Sequence, residues 1–223
     1  VGGVAGDYAY GVAATAAGRP PRRVLNDISV CVEAGESLAL VGPSGCGKST
    51  LLKIIATILS RTKGEIRYQG ISLDAYEPTE YRKEVSYTFQ TPVLFGKTVR
   101  DNLAFPYEIR KKEFDEKKAV AYLESVGLPK EYLDKEINTL SGGEKQRVAL
   151  IRNVLFQPKI LLLDEVTSAL DEANRQIIWK WLHEMREHAD MTIIMVSHNE
   201  EESSLADKNI HIVAGKIVKG EGI

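Results

Sequence analysis

The chain of 223 residues is 43% hydrophobic and 27% charged, a balance that can bury a sizeable core and excludes a disordered chain or a coiled-coil rod. Its 29 basic and 31 acidic residues give a net charge of −2, whereas a protein held on nucleic acid by phosphate contacts usually has a basic excess. The two cysteines are too few for a disulfide framework and are expected to be reduced thiols. No signal peptide and no membrane-spanning segment are expected.

The first half of the chain predicts strands and one helix after an uninformative beginning. Residues 1–20 include eleven Gly or Ala and are predicted to be a poorly defined lead-in. The 3.6-residue apolar spacing of residues 48–59 predicts a helix. Strands are predicted from short apolar and β-branched runs at 24–32, 37–41, 65–69 and 85–89.

The second half predicts a helical lobe followed by a return to alternating strands and helices. Residues 97–135 are charged with only a thin apolar stripe, which indicates a small lobe inserted into an α/β core. A helix is predicted after Ser141, and a longer one from an N-cap at Asp171 to His188. Strands are predicted at 160–163 and 192–196, with a terminal hairpin at 210–213 and 216–219. This alternation favours a mostly parallel sheet.

The eight residues from 42 to 49 fit the phosphate-binding pattern G-x-x-x-x-G-K-[ST], between a predicted strand and a predicted helix. Glycines allow backbone N–H groups to turn inward as an anion nest, and a side chain at Gly47 is expected to crowd the phosphates. Lys48 is expected to reach the β- and γ-phosphates, and the Ser49 hydroxyl to ligate Mg²⁺. The predicted nucleotide contacts in this loop are Gly42, Pro43, Ser44, Gly45, Cys46, Gly47, Lys48, Ser49 and Thr50.

Two acids follow four aliphatic residues at the end of a predicted buried strand. In open α/β sheets, ligands bind at the carboxyl ends of the strands. Asp164 is expected to hold Mg²⁺ directly or through water, and Glu165 to polarise an attacking water. Acids at strand ends are common, so the functional assignment of Asp164 and Glu165 depends on their occurring together with the phosphate-binding loop.

Ser141, Gly142 and Gly143 open a predicted helix and form a second candidate anion-binding terminus. Taken alone, this motif could equally be an ordinary capped helix. One nucleotide cannot easily use both termini within one molecule. A head-to-tail pair, in which each copy offers Ser141–Gly143 to the nucleotide of the other, is the economical arrangement.

Residues 140–147 read LSGGEKQR, and with the phosphate-binding loop and the acidic pair they make the chain resemble ABC-type ATPases, the nucleotide-binding subunits of ATP-binding-cassette transporters. The resemblance runs from about Val24 to Gly220. It implies an α/β P-loop NTPase core with a mostly parallel sheet, an N-terminal antiparallel β portion and an inserted helical lobe. It also implies ATP and Mg²⁺ as ligands. The predicted single domain, 1–223, divides into the lead-in 1–20, a catalytic core at 21–90 and 141–223, and a helical lobe at 91–140.

The same resemblance assigns roles to residues that carry little weight alone. Gln90 resembles the glutamine that touches the metal or its water and senses the membrane partner. His198 resembles the histidine that contacts the γ-phosphate, and residues 168–171 resemble the loop that bridges two subunits. The implied catalytic residues are Lys48, Gln90, Glu165 and His198, and the implied metal ligands are Ser49, Gln90 and Asp164.

Three positions depart from the family pattern. Val166 stands where proline usually follows the acidic pair, and this change is expected only to alter the turn. Asn199 replaces the aspartate that usually follows the histidine, and it is assigned no role. The aromatic residue that stacks on adenine usually precedes the first core strand, where Tyr8 and Tyr10 are the candidates and Tyr10 is preferred.

Residues 90–106 and 164–168 resemble the ATPase subunit of Fet/Ybb-type transporters, a branch linked with iron export. Phe95, Phe105 and Tyr107 are expected either to form a pocket for a coupling helix of the membrane subunit or to belong to the core of the lobe. The implied partners are a second copy and an integral membrane permease subunit, with no nucleic acid. The implied location is the cytoplasmic face of the cell membrane, where the chain is bound through the permease.

Other functions remain as alternatives, including an importer of another substrate class. A soluble ABC-type ATPase of DNA repair would carry a long coiled coil, for which the 51 residues from Gln90 to Ser141 leave no room. A translation-factor member would hold two cassettes in one chain. A P-loop GTPase would carry an Asn-Lys-x-Asp guanine reader, which the sequence lacks.

Overall fold

The computed structural model describes residues 6–7, 24–168, 170–198 and 200–218, where ten strands form one large sheet and two small ones. The large sheet holds six strands, all parallel to their neighbours except for the last two, which form an antiparallel hairpin. This confirms the predicted α/β fold with a mostly parallel sheet. In chain order the strands are β1 (Gly6–Asp7), β2 (Ser29–Val30), β3 (Ser37–Val41), β4 (Arg67–Tyr68), β5 (Ile71–Ser72), β6 (Val85–Thr88), β7 (Ile160–Asp164), β8 (Thr192–Val196), β9 (Lys208–Val213) and β10 (Lys216–Val218). Across the large sheet their order is β10-β9-β3-β8-β7-β6.

The antiparallel β portion is built from short strands, β1 with β2 and β4 with β5. The strand predicted at 24–32 shortens to β2. Asp27, at φ +58°, interrupts the extended backbone, and the Asn26 N–H donates to the Gly215 carbonyl at 2.7 Å instead of to a ladder. The strand predicted at 65–69 shortens to β4, because Gln69 and Gly70 turn the chain into β5 with positive φ angles.

Seven α-helices surround the sheet within the described ranges. The first ends at Ile55, four residues before the predicted end, because Thr57 at φ +56° closes it with a bond to the Ile54 carbonyl. The predicted N-cap Asp171 is confirmed, since its carboxylate accepts the Asn174 N–H at 2.9 Å. The helices are α1 (Lys48–Ile55), α2 (Pro78–Glu84), α3 (Val99–Glu108), α4 (Glu116–Ser125), α5 (Gly142–Val154), α6 (Glu172–Ala189) and α7 (Glu200–Ser204).

Both faces of the large sheet are covered, which explains the aliphatic composition of β7. Leu161 and Leu163 pack in a hydrophobic cluster with side chains of α3, α4, α5 and α6, whereas Ile160 and Leu162 pack in a second cluster with side chains of α1. Because successive side chains of a strand point to opposite faces, a strand buried on both faces needs an apolar residue at every position. Asp164 then ends the strand.

The parallel strands bring four sequence motifs to one edge of the sheet. β3 ends at the phosphate-binding loop, β6 ends two residues before Gln90, β7 ends at Asp164, and β8 ends two residues before His198. Carboxyl ends of parallel strands meet at the same edge, which is where ligands bind in open α/β sheets. The fold thus collects most of the predicted site residues from segments far apart in the chain.

The helical lobe buries one of its three candidate aromatic residues and exposes the other two. Tyr107 is buried and packs edge-on against Phe114 and Phe156, with ring centroids 5.5 and 4.7 Å apart, so it belongs to the core of the lobe. Phe95 and Phe105 contact each other at 4.8 Å and remain 38% and 39% exposed. For Tyr107 the structure supports the second of the two alternatives, the core of the lobe, whereas the pocket stays a prediction for the exposed pair.

Candidate functional site

Two glycines of the phosphate-binding loop, Gly42 and Gly47, are required by close approach of the chain itself. A Cβ atom on Gly42, at φ +140°, would lie 2.1 Å from the Ile212 carbonyl oxygen. A Cβ on Gly47, at φ +114°, would lie 2.6 Å from a methyl group of Leu25. The expected reason for Gly47 was crowding of phosphate, but the neighbour that the structure shows is Leu25. Both residues leave no space for a side chain and adopt backbone angles that favour glycine.

The ammonium group of Lys48 lies inside the loop. Its Nζ atom donates to the carbonyl oxygens of Gly42 at 2.7 Å and Pro43 at 3.0 Å, and the side chain is buried. Cys46 is also buried, and its Sγ atom lies 3.8 Å from the Lys48 Nζ atom. The remaining predicted contacts are more accessible: Pro43, Ser44 and Gly45 are exposed at the tip, and Ser49 and Thr50 are half-buried in the first turn of α1. A positive group and backbone N–H groups therefore share one short loop at a helix N-terminus.

Asp164 is held by two hydroxyl groups at the carboxyl end of β7. The Ser49 hydroxyl donates to Oδ1 at 2.7 Å, and the Tyr87 hydroxyl donates to Oδ2 at 2.5 Å. Burial, followed by this bond to the carboxylate, raises the pKa of Tyr87, so the phenol stays protonated and donates at neutral pH. The structure thus joins the two predicted metal ligands Ser49 and Asp164, and adds Tyr87 as a partner that the motifs do not contain.

Glu165 lies between two of the other three predicted catalytic side chains, Gln90 and His198. Gln90 Nε2 donates to Oε2 at 2.6 Å, and His198 Nε2 lies 2.8 Å from Oε1. The side chain of Glu165 is only 18% exposed, whereas that of His198 is 46% exposed. Glu165 has φ +52°, which is uncommon for a residue other than glycine, and the Ser168 N–H and hydroxyl both donate to its carbonyl oxygen. Three segments therefore converge on one carboxylate.

Ser141 caps α5 in the structure. Its hydroxyl accepts the Glu144 N–H at 3.2 Å, and its own N–H donates to the Glu144 carboxylate at 2.7 Å, so the two residues form a capping box. The Tyr132 hydroxyl, together with these bonds at the helix end, lowers the pKa of Glu144 to about 2. Ser141 and Gly142 are exposed. Among the described residues, no hydrogen bond joins Ser141–Gly143 to the phosphate-binding loop.

Two residues near the site are absent from the sequence motifs. Tyr87 lies on β6, next to β7, and its proximity to Asp164 follows from the strand order rather than from any local pattern. Glu202 lies on α7 with a buried side chain, and with Glu165 and His198 it lines a cavity of about 390 Å³. Tyr8, Tyr10 and Asn199 lie outside the described residues, and Val166 is buried in the hydrophobic cluster that contains Leu161.

Comparison with known proteins decides the family. A family model described as ABC transporter matches residues 25–168, more than half of the chain. The chain belongs to the ABC transporter family. It is the nucleotide-binding, ATP-hydrolysing subunit of such a transporter, as residues 140–147, the phosphate-binding loop and the acidic pair led us to expect.

Curated relatives of this ABC subunit include exporters and importers. It is 47% identical over 188 residues to the "Probable iron export ATP-binding protein FetA" of Escherichia coli (strain K12), and the match covers 84% of each chain. It is 35% identical over 202 residues to the energy-coupling factor transporter ATP-binding protein EcfA1 of Latilactobacillus sakei subsp. sakei (strain 23K), covering 88% of this chain and 71% of that one. It is 37% identical over 204 residues to the spermidine/putrescine import ATP-binding protein PotA of Borrelia garinii subsp. bavariensis, covering 90% and 56%.

Solved structures share the fold of this ABC subunit. The ATP-binding cassette MJ0796, solved as a dimer in a post-hydrolysis state bound to ADP and Pi, superposes with a TM-score of 0.87 at 26% identity, over 99% of this chain and 100% of that one. A bacterial Atm1-family ABC exporter with ATP bound gives a TM-score of 0.84 at 28% identity, over 98% of this chain and 38% of that one. Within the described ranges of the ABC subunit, no helix has the length and apolar character needed to cross a membrane.

Proposed function

We propose that this ABC subunit hydrolyses MgATP as a head-to-tail homodimer on the cytoplasmic face of the cell membrane. In this proposal, hydrolysis drives the export of a metal through a separate permease, and the metal is iron. The convergence of Gln90 and His198 on Glu165, beside the joined Ser49 and Asp164, carries the catalytic part of this proposal. The relative named as an iron exporter supports the substrate. We also propose that residues 1–223 form one domain.

The described side chains have distinct roles in the proposed reaction. The inward-turned loop and the Lys48 ammonium bind the phosphates and stabilise the charge that develops on them. Glu165 orients a water for in-line attack on the γ-phosphorus and receives its proton. Gln90 and His198 hold that carboxylate through its two oxygens, and His198 also donates to the γ-phosphate. As the water oxygen bonds to the γ-phosphorus, the bond from that phosphorus to the bridging oxygen of the β-phosphate breaks, and ADP and inorganic phosphate leave the site.

The residues beside the phosphate-binding loop fit a magnesium ion. The Ser49 hydroxyl and the Asp164 Oδ1 atom lie 2.7 Å apart, and the Gln90 amide donates to Glu165, the residue that follows Asp164. Hydroxyl, carboxylate and amide oxygens are the hard ligands that Mg²⁺ prefers. When bound, Mg²⁺ would neutralise charge on the phosphate oxygens. We propose Ser49, Asp164 and Gln90 as its ligands, directly or through water.

The proposed dimer gives Ser141–Gly143 a ligand. These residues are exposed or half-buried at the start of α5, where the Gly142 and Gly143 N–H groups and the Ser141 hydroxyl form the candidate anion-binding end. In a head-to-tail pair this end faces the γ-phosphate held by the loop of the other copy. The superposition on a cassette solved as a dimer supports the pairing.

Replacing Tyr87 by Phe should weaken magnesium binding without weakening the binding of ATP itself. The variant removes the hydroxyl that donates to Asp164 Oδ2, so the carboxylate loses the partner that fixes its orientation. Loss of such an outer partner typically lowers metal affinity about 10-fold or more. Titration of Mg²⁺ into the protein with a non-hydrolysable ATP analogue measures the change.

The matched control is Tyr81→Phe. Tyr81 is also buried, and its hydroxyl donates to the Ile55 carbonyl at 2.8 Å, away from Asp164. This control should lower thermal stability and leave the magnesium titration unchanged. Equal magnesium affinities in Tyr87→Phe and the wild type would remove Tyr87 from the metal site.

The transporter assignment is tested by a pull-down of tagged Glu165→Gln protein from detergent-solubilised native membranes in the presence of MgATP. This variant should bind ATP without turning it over, which favours the ATP-bound complex. We expect a polytopic membrane protein at near-equal stoichiometry by mass spectrometry, and metal transport by the reconstituted pair. Co-purification of soluble partners alone would overturn the transporter role, and transport of another substrate class would overturn the metal.

A further inference from the structure

Glu202 is a buried carboxylate that the family motifs leave without a role. It lies on the short helix α7, four residues after His198, and its side chain is 6% exposed. Burying a carboxylate is unfavourable unless hydrogen bonds and an opposite charge replace its water. The identity of its partners therefore shows what the residue holds in place.

Each oxygen of Glu202 accepts a hydrogen bond from a different segment. The Thr167 hydroxyl donates to Oε1 and the Ser197 hydroxyl to Oε2, both at 2.5 Å. The Nε atom of Arg175, on α6, lies 3.4 Å from Oε1, so the guanidinium group compensates the negative charge of the carboxylate. Both hydroxyl-bearing residues are themselves buried, so their bonds to the carboxylate are shielded from water.

The two hydroxyls belong to the segments that carry the proposed catalytic groups. Thr167 lies two residues after Glu165, in the turn that begins with the positive φ angle, and Ser197 directly precedes His198. The Glu165 N–H also donates to the Val196 carbonyl at 3.1 Å, so the two segments are already adjacent at the backbone. The Glu202 carboxylate connects the same two segments a second time, through the side chains of Thr167 and Ser197. The same two segments carry Glu165 Oε1 and His198 Nε2, which lie 2.8 Å apart.

We propose that Glu202 is a positioning residue for ATP hydrolysis, which sets the relative position of Glu165 and His198 by binding Thr167 and Ser197 at once. This inference rests on the proposed roles of Glu165 and His198. Glu202 touches no phosphate in this scheme and acts through the two hydroxyls. It accordingly influences the chemical step and leaves nucleotide binding by the loop unchanged.

The test begins with Glu202→Gln, which keeps the shape but has a single acceptor oxygen for the two hydroxyls. We expect kcat to fall about 10-fold or more, because small misplacements of catalytic groups have effects of this size, while the KM for ATP stays within about twofold. Rates are divided by the number of ATP-binding sites that each preparation titrates, so unfolded protein does not count. An unchanged kcat, or parallel changes in kcat and KM, would overturn the proposal.

A second pair of variants keeps the test decisive if Glu202→Gln fails to fold. Thr167→Val keeps the side-chain shape and removes the hydroxyl, whereas Thr167→Ser keeps the hydroxyl. We expect the first to lower kcat and the second to restore it. In a folded Glu202→Ala background, which removes both acceptor oxygens, Thr167→Val should have little further effect, because the bond that it breaks is already absent. Fully additive effects would indicate that Thr167 and Glu202 act independently and would contradict the inference.

Failure of this inference can be told from failure of the proposed catalytic roles. If Glu165→Gln retains turnover, the assignment of Glu165 is wrong, and Glu202 has nothing to position. If Glu165→Gln is inactive while Glu202→Gln and Thr167→Val turn over like the wild type, the catalytic assignment stands and only the role of Glu202 is wrong.

Discussion

Glu165→Gln should bind ATP with wild-type affinity and hydrolyse it at least ~10²-fold more slowly, the usual scale for loss of a general base. The amide matches the carboxylate in shape, so Gln90 and His198, which lie 2.6 and 2.8 Å from the two carboxylate oxygens, keep their neighbour, although the amide has a single acceptor oxygen. It cannot, however, accept a proton from water. Steady-state phosphate release and equilibrium binding of a fluorescent ATP analogue separate the two effects.

Glu187→Gln is the control for this experiment. Glu187 is an exposed carboxylate on α6 whose ion-pair partner, His183, is also exposed, so its neutralisation should leave turnover unchanged. Turnover of Glu165→Gln within a few-fold of the wild type would show that another group accepts the proton. Loss of ATP binding in the same variant would instead indicate that Glu165 supports the nucleotide site as a whole.

Ser141→Arg should abolish turnover and spare ATP binding by the monomer. Ser141 is exposed at the start of α5, so a large side chain there meets solvent in the monomer and the partner's nucleotide in a head-to-tail dimer. The nucleotide of the monomer is bound by the separate loop at 42–49. Light scattering with ATP should show a dimer for Glu165→Gln and a monomer for the double variant with Ser141→Arg.

The capping role of Ser141 requires its own control. Removal of the hydroxyl that accepts the Glu144 N–H costs about 1 kcal/mol, so part of any effect could come from fraying of α5. Ser141→Ala loses the cap without adding bulk, and its thermal midpoint measures that contribution. If Ser141→Arg retains turnover, or if the double variant still dimerises with ATP, the head-to-tail arrangement is wrong.

The site was predictable from the sequence where its chemistry requires a run of consecutive residues. The phosphate-binding loop between β3 and α1, the acids that end β7 and the cap of α5 all lie where their patterns indicate. These features are local, because an anion nest, a strand end and a helix cap each depend on neighbours within a few residues. Short local patterns were therefore sufficient to predict both the family and the ATPase activity.

Single functional residues such as Gln90 and His198 could not be predicted from local patterns. Neither belongs to a local pattern of its own, and resemblance to a family was the reason to select them. The structure brings both against Glu165 because β6, β7 and β8 are adjacent and parallel and end at one edge. Their meeting depends on strand order, which is a property of the whole sheet.

The limits of local patterns are clearest where the sequence left two alternatives open. Tyr107 was a candidate pocket residue, yet it lies in the core against Phe114 and Phe156, since an aromatic side chain gives no sign of its facing direction.

The sequence by itself determined the fold class, the nucleotide-binding loop and the acidic pair, because each requires particular residue types at fixed spacing. Only the tertiary structure decided that Tyr87 donates to Asp164, that Leu25 excludes a side chain at Gly47, and that Glu202 accepts hydrogen bonds from both Thr167 and Ser197. These contacts join residues between 5 and 77 positions apart, and packing of the sheet and its helices, rather than any spacing in the chain, creates them.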